Sequence, residues 1–81
     1  MTYEEFITNY PGLKPEKIKL NFVSMYKHNM TYAGQFRYKG DVLNIEVIMF
    51  AEYRADMYAE ETLSSLYLEN SELNITVDGK E

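Results

Sequence analysis

Cysteine and tryptophan are absent from this sequence, and its 81 residues include only two prolines, four glycines and one histidine. Without cysteine there is no disulfide framework, no thiolate metal site and no thiol nucleophile, so a chain this short has to stand by apolar packing. The four glycines form no phosphate-cradling loop, and the serines at 24, 64, 65 and 71 sit in no nucleophile elbow. No apolar run approaches the roughly 20 residues a membrane span needs. The opening Met1-Thr2-Tyr3-Glu4-Glu5 is acidic where a signal peptide is basic. The expectation is a cytoplasmic protein with no membrane partner.

What is present suffices for a core. Hydrophobic residues make up 46% of the chain and charged residues 26%, outside the range of intrinsic disorder, and the length fits one domain over 1–81. The net charge is −5, but the charges are segregated. Six of the eight basic side chains (Lys14, Lys17, Lys19, Lys27, Arg37 and Lys39) fall in residues 11–40 against the single acid Glu16. Ten of the thirteen acids fall in residues 41–81 against Arg54 and Lys80. Such a split predicts two surfaces of opposite potential.

Periodicity predicts the elements. Thr2 and Glu5 make a capping box ahead of Tyr3, Phe6, Ile7 and Tyr10, so residues 3–10 read as a short amphipathic helix ended by Pro11-Gly12. From Lys17 the period is two: Ile18, Leu20, Phe22, Ser24 and Tyr26 share one face of a strand. After a turn at His28-Asn29, Met30, Tyr32, Gly34, Phe36 and Tyr38 do the same. A two-residue Lys39-Gly40 loop then sets Phe36 opposite Leu43, Gly34 opposite Ile45 and Tyr32 opposite Val47. Gly34, in mid-strand, predicts a bulge or a close approach by the first helix. The third strand is half apolar on its other face too, through Val42, Ile48 and Phe50. Asp56 is the expected N-cap of a second helix running to about Leu68, and Leu73–Val77 a last short strand. The fold class expected is therefore α+β: a three-stranded antiparallel meander plus a short fourth strand, with two helices, in the order α-β-β-β-α-β.

Nothing in the sequence assembles a catalytic or metal centre, and no cofactor is implied. His28 lies in a loop with no partner in sight, and the carboxylate pairs Asp56/Glu60 and Glu60/Glu61 have neither calcium-loop spacing nor a histidine beside them. The chain is not expected to be an enzyme. Two binding surfaces remain. Glu52, Asp56, Glu60, Glu61, Glu69 and Glu72 crowd into about twenty residues, and carboxylates one helical turn apart lie roughly 6 Å apart, close to the spacing of backbone phosphates. With Tyr53, Tyr58 and Tyr67 among them as contact side chains, the expected acidic face is Glu52, Tyr53, Asp56, Tyr58, Glu60, Glu61, Tyr67 and Glu69. In size, acidity and lack of cysteine the chain is similar to phage and mobile-element inhibitors of host nucleases, including anti-CRISPR and DNA-mimic proteins. That likeness implies a protein partner, a nucleic-acid-binding enzyme, met by the acidic second helix.

The alternative surface is basic. Lys17, Lys19, Lys27, Arg37 and Lys39 share the parity of the polar face of strands one and two, with Asn21 and Gln35 between them, and such a face would bind RNA or DNA. The α-β-β-β-α order resembles the double-stranded-RNA-binding domain, but that family's basic cluster at the start of the second helix has no counterpart in Arg54-Ala55-Asp56-Met57-Tyr58. The two faces are also complementary to each other, which would permit a homo-oligomer.

Overall fold

In the computed structural model, which describes residues 1–50 and 60–78, the first helix α1 spans Tyr3–Asn9 and the strands are β1 (Lys19–Tyr26), β2 (Asn29–Tyr38), β3 (Asp41–Phe50), β4 (Glu60–Thr62) and β5 (Leu73–Val77). The second helix α2 spans Leu63–Glu69, and a 3-10 turn covers Pro15–Lys17. The protein is α+β with a five-stranded antiparallel sheet in the order β4-β1-β2-β3-β5. The expected α-β-β-β-α-β order holds, with the three-residue β4 added ahead of α2.

Alternation explains one layer of the sheet. Leu20, Met30, Tyr32, Phe36, Ile45, Val47, Met49, Leu73, Ile75 and Val77 turn to one face and join Phe6 of α1 and Leu63 and Leu66 of α2 in a single buried cluster. Both helices therefore bury against the same side, while Lys19, Asn21, Gln35, Arg37, Asn44 and Asn74 stay exposed on the other, which among the described residues carries no helix.

The β2–β3 hairpin has the predicted register throughout, including Phe36–Leu43, Gly34–Ile45 and Tyr32–Val47. Its two-residue turn works because Lys39 and Gly40 both take positive φ, 49° and 85°, the twist that matches flanking strands. The half-apolar outer face of β3 leaves Val42 and Phe50 about half exposed, at 51% and 53%.

Three expectations need correction. The register of β1 against β2 shifts between Phe22 and Ser24, so Val23 is a bulge residue and everything after it changes face. Tyr26, expected on the apolar face with Ser24, is thus 72% exposed. Gly34 makes room for the backbone of β1, not for the first helix: a Cβ there would run into the carbonyl oxygen of Lys19. Finally, α2 begins at Leu63, because Glu60–Thr62 pair as a strand with Lys19–Asn21. The proposed cap Asp56 lies outside the described residues; the observed cap is Thr62.

Thr62 and Ser65 cap reciprocally. The Thr62 hydroxyl accepts from the Ser65 amide at 3.2 Å and the Ser65 hydroxyl from the Thr62 amide at 3.0 Å. Serine here fills the position where Glu5 stands in the box that starts α1. Replacing Thr62 with alanine should lower stability by about 1 kcal/mol, read as a shift of the urea midpoint, while Thr62→Ser should leave it nearly unchanged. Equal midpoints for both variants would show that the hydroxyl does not hold the helix.

Candidate functional site

The acidic side of the molecule is built on α1. Its capping box commits Glu5, whose carboxylate accepts the Thr2 amide at 2.9 Å; that backbone donor, together with the Thr2 hydroxyl, holds the Glu5 carboxyl below its usual range. Glu4, the next residue round the helix, faces α2 and accepts the Tyr67 hydroxyl at 3.2 Å. The Tyr67 ring lies on the Tyr3 ring, with centroids 3.9 Å apart and planes 15° from parallel. The charge of Glu4 and its hydrogen bond raise the Tyr67 phenol above its ordinary value. The Tyr3 phenol is raised by burial first, then by Tyr67, Glu16 and Glu4. Both rings therefore remain neutral hydrogen-bonding surfaces at neutral pH.

Beside this pair, the start of α1 and the α2–β5 connection enclose a groove of about 440 Å³, into which Glu4, Glu5 and Glu72 face with Asn74 and Ser71. Asn70 positions the connection. Its side-chain Nδ2 donates to the Phe50 carbonyl at 2.6 Å and its side-chain Oδ1 accepts the Glu72 backbone amide at 2.8 Å. Across the groove floor Met1 pairs with β5, its amine donating to the Ile75 carbonyl at 2.6 Å and its carbonyl accepting the Ile75 amide at 2.8 Å.

The sequence-predicted acidic face is only partly brought together. Glu52, Tyr53, Asp56 and Tyr58 lie outside the described residues. Glu60 and Glu61 are not one helical row, because they are neighbours on β4 and point to opposite faces. Glu60 is exposed beside Asn21; Glu61 turns to the core side, where it accepts the hydroxyl of the fully buried Tyr32 at 3.1 Å and lies 3.4 Å from the Ser65 hydroxyl. That bond gives the buried phenol a charged acceptor. Glu69 is exposed near the end of α2, and Tyr67 is at the heart of the acidic side. Tyr3, Glu4 and Glu5 were missed, although the capping box and the i, i+3 spacing already placed them on one short helix.

No protein-family model, curated protein or solved structure matches this chain. Chemistry must be read from the geometry alone. Among the described residues no three histidine or acidic side chains group to hold a metal ion, and no described helix is long and apolar enough to cross a membrane. His28 sits in the β1–β2 turn, with its ring edge-on to Phe50 at 5.7 Å.

The predicted basic face separates into two ends. Lys27, expected on the polar face of the first strand, is a turn residue with φ 57°. The ten residues of β2, roughly 30 Å of strand, part it from Lys39 in the next turn. At the Lys39 end the cations do gather. Lys17, Gln35 and Arg37 line one groove, Lys14 joins them, and Lys19 is exposed one residue beyond the Leu20–Gly34 pair. Lys39 places its ammonium 5.3 Å from the Tyr38 ring centroid.

Proposed function

We propose that this protein is a small acidic protein-binding module that occupies a cationic, nucleic-acid-binding groove on a partner protein and so acts as an inhibitor of it. The observation that supports this reading most is the convergence of Glu4, Glu5 and Glu72 on one groove, flanked by the stacked Tyr3 and Tyr67 rings. Carboxylates beside flat, low-entropy aromatic area are suited to a surface of lysines and arginines, where charge steers the encounter and the rings supply contact. The net charge of −5 fits the same reading.

The test is a pull-down with tagged protein from nuclease-treated bacterial lysate at two salt concentrations, comparing the native chain with a Glu4→Lys, Glu72→Lys double variant. Glu5 is spared because it caps α1. A stoichiometric partner that survives nuclease treatment, weakens with salt and binds the variant at least about tenfold less is the expected result. Equal capture of the same partner by the variant would remove the acidic groove from the interaction.

A further inference from the structure

The second charged surface carries an inference of its own. The segment from Pro11 to Ile18 is a connection with two prolines and Gly12 at φ 91°, yet its backbone is well tied: Leu13 to Tyr10 at 3.4 Å, Lys17 to Lys14 at 2.9 Å and Ile18 to Pro15 at 3.2 Å. It runs beside the outer end of β2 and leaves a groove of about 400 Å³ between them. Lys14 and Lys17 on the connection and Gln35 and Arg37 on β2 line it, over a floor made by the buried side chains of Ile18 and Phe36.

Three features make this more than a solvated charge run. The three cations come from two separate segments and meet at one concavity, so sequence neighbourhood alone does not account for them. Among the described residues none of the three is paired with a carboxylate. Glu16, the acid closest in sequence, does not line the groove; its charge is felt instead at Tyr3, on the helical side. The net charge of −5 does not cancel the local field, because at physiological ionic strength charges more than about 8 Å apart are largely screened.

We infer that this groove binds a phosphate-bearing ligand, with Lys14, Lys17 and Arg37 holding the phosphate oxygens, beside a Gln35 side chain whose amide already donates to Asn44 at 3.0 Å. Arg37 offers a planar fork that matches a phosphate, and the two lysines add point charges on a connection already held in place. Lys19 and Lys39 extend the positive end beyond the groove, so the phosphates can belong to the backbone of a single-stranded nucleic acid or to a free phosphate monoester. The inference does not depend on the acidic groove, and neither outcome below bears on that reading.

The experiment follows amide resonances of the ¹⁵N-labelled full chain while it is titrated with three probes: an eight-nucleotide oligothymidylate, a nucleoside monophosphate and inorganic phosphate. Saturable shifts confined to residues 12–18 and 35–37 are expected for at least one of them. Shifts with the oligonucleotide alone assign the site to a nucleic-acid backbone, and comparable shifts with the monophosphate assign it to small phosphates. For the oligonucleotide, three contacts at a slope of about 0.7 each weaken binding roughly 20-fold between 50 and 200 mM salt. A Lys14→Gln, Arg37→Gln double variant should bind at least about tenfold more weakly with an unchanged spectral dispersion, while Lys27→Asn, at the far turn, should bind as the native chain does. No shift with any probe, or shifts centred elsewhere, would overturn the inference, as would native binding by the folded double variant.

Discussion

A Phe6→Ala variant is expected to lose about 3–5 kcal/mol of unfolding free energy and to melt about 15–30 °C lower than the native protein. Phe6 has no exposed surface and is the only fully buried side chain α1 contributes. Its ring stands edge-on to Phe36 with centroids 5.5 Å apart and leans on Tyr10 at 5.1 Å, so it ties the helix to both the sheet and the following turn. A seven-residue helix has no stability of its own; it exists because a face is buried. A domain of this length has a total stability of about 4–12 kcal/mol, so the loss takes most of it. Thermal and urea unfolding followed by circular dichroism provide the measurement. A change below about 1 kcal/mol would mean that α1 is not packed on the sheet as described.

The second large effect is unusual in sign. Glycine inside a strand ordinarily weakens it, and alanine in its place recovers about 0.5–1 kcal/mol. At Gly34 the same substitution should destabilise by about 2–3 kcal/mol, because the new methyl group meets the Lys19 carbonyl, which is backbone and cannot rotate away. Leu20 is close too, its Cδ2 3.1 Å from the position the Cβ would take. Relief requires β1 and β2 to part just where Leu20 pairs with Gly34, beside the β4 pairing and next to Gln35 of the groove lined by Lys14, Lys17 and Arg37. A Gly34→Ala protein as stable as the native one would show that the two backbones are farther apart at this point.

The β2–β3 hairpin was legible to the residue, because the short loop and the alternation of both strands admit only one register that places Phe36, Tyr32, Leu43 and Val47 together. The same holds for β5 and for the α1 capping box, each a complete local pattern. The second helix was not, since Thr62, Leu63, Leu66 and Tyr67 keep helical spacing whether the helix starts before or after Glu60. What sets its start is a long-range event, the pairing of Glu60–Thr62 with Lys19–Asn21, which no local window contains. The Val23 bulge escaped for a related reason: the residues after it are ambivalent, and alternation reads straight through one extra residue. The candidate sites were legible as charge and not as shape. Parity put Lys27 with Arg37 but could not tell that a turn carries it to the other end, and it overlooked Lys14 and Glu4, whose positions depend on what the loop and helix pack against.

The paired bonds between Met1 and Ile75 join residues 74 apart in sequence, so the opening of the described chain lies against its last strand. Neighbours in space are also not neighbours in sequence at either edge of the sheet, where β4 lies beside β1 and β5 beside β3. The sheet order β4-β1-β2-β3-β5 thus holds the fold's architecture, because both edge pairings join segments that the order along the chain keeps apart.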